Sequence, residues 1–330
     1  MELSQTSSRS KTIALTGGTG FLGYHLIFSL LEANYRVLLL KRKGSFHPLM
    51  KTYPKGVEAL EIDFTDEAAL TRACDRAASV IHAAGLVSYD NEDQTQMFEV
   101  HVELTRRMIR CAQNAGVQRF VHVSSIVTIG HGFVPRNEES PFNAQDLGLA
   151  YWTTKYEAER IALAANAPGF EVVVVNPGSL LGEGEKNNQL LPFVKKLARS
   201  ERPFLPDGGS DFLDVRDGAK GTLLALEKGR PGERYILGSV NLTYRQFHEK
   251  LRKVFDLRSR PRMVPRWALS AVEAILRIVE KVTGLDFPVN SARLRRVNGI
   301  YMFHHLIKAR QELGYTPAPL DRAIRAMVEE

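Results

Sequence analysis

Thr16-Gly17-Gly18-Thr19-Gly20-Phe21-Leu22-Gly23 follows a short apolar run, Thr12-Ile13-Ala14-Leu15, and precedes Tyr24 to Ala33, whose apolar residues recur at helical spacing. Strand, glycine turn and helix in that order are the setting a dinucleotide fingerprint requires. Two spacings overlap: Gly18, Gly20 and Gly23 read GxGxxG, while Gly17, Gly20 and Gly23 read GxxGxxG. Glycine frees the turn from Cβ sterics and lets the main chain approach a pyrophosphate. The helix behind it aims free N–H groups and the positive end of its dipole at that phosphate. Gly17, Thr19, Gly20, Phe21, Leu22 and Gly23 are therefore the candidate phosphate contacts.

The rest of the first half alternates apolar runs with helical patterns, which predicts βαβ units and a parallel sheet. Strands are expected at Thr12–Leu15, Arg36–Leu40, Glu58–Ile62, Ser79–His82, Arg119–Val123 and Glu171–Val175. The second ends in Leu40-Lys41-Arg42-Lys43, at the distance from the glycines where a carboxylate would grip the 2′-hydroxyl of NAD. Cations there suit a 2′-phosphate, which pairs with a guanidinium through two parallel hydrogen bonds. The expected cofactor is NADP, with Arg42 as its main contact and NAD as the alternative. Ordinary surface cations are the competing reading. The third strand leads to Asp63-Phe64, where Asp63 either accepts from the adenine amino group or caps the helix near Asp66. The fourth ends in His82-Ala83-Ala84-Gly85; Ala83 and Ala84 let a ligand lie against the backbone, and His82 is read as packed.

The fifth strand ends in Val123-Ser124-Ser125, and Tyr151-Trp152-Thr153-Thr154-Lys155 opens a helix running to about Ala165. Tyr151 and Lys155 share one helix face. An ammonium ~4 Å from the phenolate is worth about 4 kcal/mol at an effective dielectric of ~20, roughly three pKa units. This would bring Tyr151 toward neutrality, where acid–base catalysis works best.

Together these residues resemble the extended short-chain dehydrogenase/reductase family, within the NAD-dependent epimerase/dehydratase superfamily. The glycine turn, Asp63, Ala83-Ala84, Ser125, Tyr151, Lys155 and Asn176-Pro177-Gly178 fall in the family's order. Asp214 to Ala219, Gly221 to Leu226, Gly232 to Gly238 and Lys308 to Tyr315 resemble the dihydroflavonol-4-reductase and 3β-hydroxysteroid-dehydrogenase-like branch. The resemblance implies a Rossmann-type doubly wound parallel α/β sheet with a smaller mixed C-terminal substrate lobe. It divides the chain into 1–180, with 206–240 packing back on it, and a lobe from 181–205 and 241–330. It implies that Tyr151 is the acid or base, that Lys155 lowers its pKa and binds the nicotinamide ribose, and that Ser125 holds the substrate oxygen. Pro177 and Gly178 would border the nicotinamide. Two departures stand out. His101 replaces the Asn that serves a water relay, and is read as a plain packed or exposed histidine, with a special role in that helix as the alternative. Gly209-Ser210-Asp211-Phe212 lacks the Arg that nucleotide-sugar members use for phosphate, which favours a less charged substrate.

Composition sets the remaining bounds. The chain has 330 residues, 44% hydrophobic and 25% charged, an ordinary globular balance. Cys74 and Cys111 suggest neither disulfides nor a metal site, so a cytoplasmic setting is expected. Residues 1–11 read as a loose polar tail. From Asn241 onward stand 17 Lys and Arg against 9 Asp and Glu, scattered and without interleaved stacking aromatics, which disfavours nucleic acid. Gly182 to Gln189 reads as a mobile loop at the pocket mouth, with Asn187 and Gln189 as possible substrate contacts. Trp267 to Leu285 is apolar over most of its circumference and is expected as a core helix of the substrate lobe, with an interfacial helix on an anionic membrane as the second reading. A homodimer through helices near 100–113 and 151–165 is carried over from the family. The expected function is interconversion of a ketone and a secondary alcohol on a moderately apolar small molecule. The alternatives are a nucleotide-sugar epimerase or dehydratase with bound NAD, and a non-catalytic NADP(H) sensor.

Overall fold

The structure, a computed structural model, describes residues 11–184, 194, 202–284, 287 and 289–327. The N-terminal tail, Asn187 and Gln189 lie outside them. In chain order the first half comprises β1 (Thr12–Thr16), α1 (Phe21–Glu32), β2 (Arg36–Lys41), β3 (Val57–Glu61), α2 (Glu67–Cys74), β4 (Ser79–His82), α3 (Gln94–Phe98), α4 (Leu104–Asn114), β5 (Arg119–Val123), β6 (Gly132–Arg136), α5 (Ala150–Ala164) and β7 (Glu171–Pro177). The second comprises β8 (Ser179–Leu181), β9 (Phe204–Leu205), β10 (Gly208–Asp214), α6 (Val215–Lys228), β11 (Arg234–Leu237), β12 (Val240–Thr243), α7 (Tyr244–Phe255), β13 (Arg262–Met263), α8 (Arg266–Thr283), α9 (Ser291–Arg295), β14 (Ile300–His304) and α10 (Asp321–Ala326).

Seven strands form one parallel sheet in the order β11-β7-β5-β4-β1-β2-β3. All six strands expected from the sequence are in it. Both faces of the central strands are covered, which is why β1, β2, β4, β5 and β7 are largely apolar and buried, whereas β3 at the edge (VEALE) leaves Glu58 and Glu61 exposed. Leu26, Ile27 and Leu30 of α1 and Ala219 and Leu226 of α6 close one face. Leu70 and Cys74 of α2, Met108 and Ile109 of α4 and Ala162 of α5 close the other. Each fully buried Leu or Ile contributes about 1.5–3 kcal/mol. The chain reverses its winding between β1 and β4, the place where such sheets open a crevice at their carboxyl ends.

A smaller mixed sheet runs β12-β10-β14-β6, with β8 also on β10. Only β10 and β12 are antiparallel; β10 pairs β14 and β8, and β14 pairs β6, in parallel. α7 packs against it through Phe247, stacked on Phe212 at 4.2 Å. Thr243 and Gln246 form a capping box that starts α7.

The helix expected in the substrate-lobe core is present as α8 but is not a core helix. Among its described residues only Glu280 is buried, while Trp267, Val272, Ile275, Ile278 and Val282 are exposed. The reason is electrostatic. Its two acids face inward: Glu280 accepts from Ser291 N (2.7 Å) and Ser291 Oγ (2.6 Å), and Glu273 lies 3.3 Å from Arg295. Leu285 lies outside the described residues.

Candidate functional site

The glycine turn sits at the reversal point. Gly17 has φ +74°, and a Cβ there would stand 2.4 Å from Ala83 C and O. A Cβ on Gly23 would meet Gly17 O at 2.1 Å. Gly17, Gly20 and Gly23 thus carry the tight turn, while Gly18 is small for packing, since Leu39 Cδ1 would lie 2.4 Å from its Cβ. Gly20 is the N-cap of α1, and no side chain caps that helix, so Phe21 and Leu22 open it with their N–H groups toward the crevice. Thr19 is half-buried beside them. Across the turn Ala83 N donates to Thr16 O at 3.2 Å and Ala84 N to Thr16 Oγ1 at 3.3 Å. This is a cradle that any Cβ would fill, and it fits a dinucleotide pyrophosphate.

At the end of β2 tertiary register adds a group the linear spacing does not show. Lys41 pairs with Glu61 of β3, its Nζ 2.6 Å from Oε1. Gly44 N donates to the same oxygen at 3.3 Å. The two donors hold the Glu61 carboxyl below its ordinary pKa. Arg42, one residue on, is exposed, and among the described residues its guanidinium makes no ion pair. Asp63 is not the helix cap: Asp66 is, accepting from Ala69 N at 2.9 Å. Asp63 Oδ1 instead accepts from Thr65 N and Thr65 Oγ1, bonds that lower its pKa; Oδ2 makes no hydrogen bond among the described residues. Phe64 packs on the core under α4, and its carbonyl accepts from Arg107.

Ser125, Tyr151 and Lys155 meet at the end of β5. Adjacent serines diverge there. Ser124 Oγ donates to buried Glu159, whereas Ser125 caps the next turn through Val127 N and its hydroxyl meets the Tyr151 phenol. The Tyr151 pKa is raised well above its ordinary value, chiefly by burial and secondarily by Tyr89; Ser125 and Arg296 pull the other way. The expectation that Lys155 acidifies Tyr151 does not hold in this geometry. Lys155 Nζ runs beneath the strand edge and donates to Val123 O at 2.8 Å. A shared helix face puts two side chains on one side but does not bring their tips together. Burial lowers the Lys155 pKa to about 8, and the Glu159 charge opposes that fall. Pro177 ends β7, and Gly178 N donates to Leu237 O at 2.8 Å; a Cβ on Gly178 would lie 2.7 Å from Asp211 O. Gly17, Ala83, Ser125 and Pro177 therefore follow or end four neighbouring strands, β1, β4, β5 and β7.

Three groups escaped the sequence reading. Glu159 is 1% exposed, and its Oε2 also accepts from Thr128 Oγ1 and Asn176 Nδ2, both at 2.6 Å, while Arg234 donates to Oε1 at 2.8 Å. Its spacing from Lys155, four residues along α5, was the available signal. Tyr89, 5.9 Å from the Tyr151 ring, and Arg296, 4.2 Å over the Tyr89 ring, had none. His101 is packed, not exposed: Leu86 N donates to its Nε2 at 3.1 Å. Nδ1–H then donates to Thr154 Oγ1 at 2.8 Å, and the ring stands edge-on to Tyr151. Burial lowers its pKa to about 2, so it is neutral. His82 is likewise packed, between Thr16 Oγ1 (2.7 Å) and Thr105 Oγ1 (3.1 Å), and neutral for the same reason.

A parallel sheet with a glycine cradle at its reversal point, and a Ser, Tyr and Lys gathered two strands away, defines a nicotinamide-dinucleotide enzyme acting on a hydroxyl or keto group. Residues 13–238 match the model of the NAD dependent epimerase/dehydratase family, and the chain belongs to that family, in its extended short-chain dehydrogenase/reductase branch. It is 29% identical to a Synechocystis sp. protein named as a dihydroflavonol 4-reductase, over 98% of this chain and 95% of that one. It is 26% identical to the 3 beta-hydroxysteroid dehydrogenase/Delta 5-->4-isomerase of Mycobacterium tuberculosis, over 92% of this chain and 86% of that one. The crystal structure of gox2253 superposes with a TM-score of 0.84 at 25% identity, covering 97% of each chain.

Proposed function

We propose that this protein is an NADP(H)-dependent oxidoreductase that interconverts a ketone and a secondary alcohol on a moderately apolar small molecule. The carrying observation is the contact of the Ser125 hydroxyl with the half-buried Tyr151 phenol, two strands from the glycine cradle. A phenol is protonated at neutral pH and can give its proton to a carbonyl oxygen, and its phenolate can take one from an alcohol in the reverse direction. Tyr151 gives that proton to the ketone oxygen while Ser125 hydrogen-bonds the same oxygen. The nicotinamide, when bound, supplies the hydride to the carbonyl carbon. Lys155 donates to the nicotinamide ribose from its anchored position under β5. Pro177 and Gly178 border the ring, Gly17 to Gly23 with Ala83 and Ala84 hold the pyrophosphate, Arg42 takes the 2′-phosphate and Asp63 Oδ2 receives the adenine amino group.

The apolar substrate rests on the aromatic Tyr89 wall beside Tyr151, on the missing Arg before Asp211, and on relatives named for steroid and dihydroflavonol substrates. The test is NADPH oxidation against a panel of hydrophobic ketones and sugar nucleotides, with NADH in parallel. Turnover of ketones with NADPH preferred is expected. Purified protein carrying bound NAD, and turnover of sugar nucleotides alone, would establish the epimerase reading instead. An NADPH thermal shift with no turnover of any carbonyl would establish the sensor.

A further inference from the structure

The two acids of α8 face the protein, and its exposed surface carries an apolar stripe beside its cations: Trp267 is 75% exposed, Ile275 62%, Ile278 64% and Val282 80%. At 100° per residue these four and Val272 cover an arc of ~140°, a continuous stripe along the helix. A water-facing helix ordinarily shows the reverse arrangement, and contiguous exposed apolar surface of this kind marks an interaction site. Met263 of β13 and Phe204 of β9, both exposed, lie just before the start of α8.

Charge identifies the occupant. Arg266, Arg277 and Lys281 lie along one flank of the stripe, and Arg258, Arg260 and Arg262 are exposed in the segment leading into the helix. Arg266 pairs with Asp207 at 2.5 Å, and Arg277 lies 3.9 Å from Glu273. Between Leu257 and Thr283 the only acids are Glu273 and Glu280, and both are turned inward. An apolar stripe bordered by cations fits a bilayer whose headgroups are anionic. A second copy docked face to face would bring two cationic borders together. No helix among the described residues is long and apolar enough to cross a membrane, so the contact is at the surface.

α8 is joined to the reaction site through its inner side. α8 packs on α9, and at the ends of α9 Asn290 Nδ2 donates to Tyr89 O at 2.8 Å while Arg296 covers the Tyr89 ring. Tyr89 in turn contacts Tyr151. We infer that α8 seats the protein on anionic phospholipid membranes. The docking stands independently of the proposed reduction; only the delivery of an apolar ketone from the bilayer rests on it.

The full chain is floated with phosphatidylcholine vesicles containing or lacking ~30% phosphatidylglycerol, at low and high salt. We expect at least ~10-fold more protein with the anionic vesicles, and loss of that excess at high salt. Trp267→Glu with Ile275→Glu should cut the bound fraction ~10-fold while leaving the NADPH thermal shift unchanged. Arg277→Glu with Lys281→Glu should remove the preference for anionic lipid. Should the charged double variant fail to fold, Trp267 fluorescence decides in the unaltered chain, where the other tryptophan, Trp152, is buried. A blue shift on adding anionic vesicles supports docking, and no shift overturns it. Recovery in the soluble fraction with both vesicle types overturns the proposal. So does a dimer that dissociates in the Trp267→Glu, Ile275→Glu variant, which would assign the face to a second copy.

Discussion

Glu159→Gln should move the pH dependence of cofactor binding, not merely weaken the fold. The carboxylate accepts from Ser124, Thr128, Asn176 and Arg234, and its charge is what keeps the Lys155 pKa from falling below about 8. Opposite charges ~6 Å apart at an effective dielectric of ~20 attract by about 3 kcal/mol, or roughly two pKa units. Arg234 neutralises part of the charge, so a drop of about one unit is expected in the variant. The sign follows from the direction of the shift. The Lys155 ammonium is present below its pKa and lost above it, so the alkaline fall in NADPH affinity should move from near pH 8 to near ~7. Removing one partner of a buried ion pair costs about 3–5 kcal/mol. Arg234 keeps some solvent contact, which points to the lower end, and at 2–4 °C per kcal/mol a fall in Tm of about 6–10 °C is expected. The assay is the NADPH dissociation constant from pH 6 to 9, paired with thermal melts. A lower Tm with an unmoved alkaline limb would refute the electrostatic argument and leave Glu159 a purely structural residue.

Tyr151→Phe should abolish ketone reduction while changing NADPH affinity by less than about threefold, because the ring packing survives and only the proton donor is lost; persistence of turnover in steady-state assays would remove Tyr151 from the chemistry. Arg42→Ala should raise the NADPH KM by about 10–100-fold, the worth of a charge-assisted pair, and leave the NADH KM unchanged. Equal effects on both cofactors would show that Arg42 does not read the 2′-phosphate. Gly17→Ala places a methyl 2.4 Å from the Ala83 backbone at a φ of +74°, so the NADPH thermal shift should vanish even if the chain still folds. A retained shift would mean that the pyrophosphate lies elsewhere.

Much of this protein was written locally. Thr12 to Leu15, the glycines and the helix behind them specify strand, turn and helix through neighbours a few residues apart, and five of the six expected strands announce themselves as apolar runs because a sheet covered on both faces leaves little polar alternation, while β3 at the edge keeps Glu58 and Glu61 exposed. Ser125 and Tyr151 could be picked out for the same reason, since each sits at or just past the end of an element whose position is set by its own periodicity, and Lys155 follows one turn behind Tyr151 in α5. What the order of residues could not express is which side-chain tips meet. Glu61 reaches Lys41 only through the pairing of β2 with β3. Lys155 turns to the Val123 carbonyl instead of to Tyr151. Glu159 gathers donors from β5, β7 and β11, which are far apart in the chain. The face of α8 was settled last, because Arg295 and Ser291 offered its acids partners on the inside. Those partners arrive only once the chain has folded, and a buried charge goes where it can be paired, even at the cost of turning isoleucines outward.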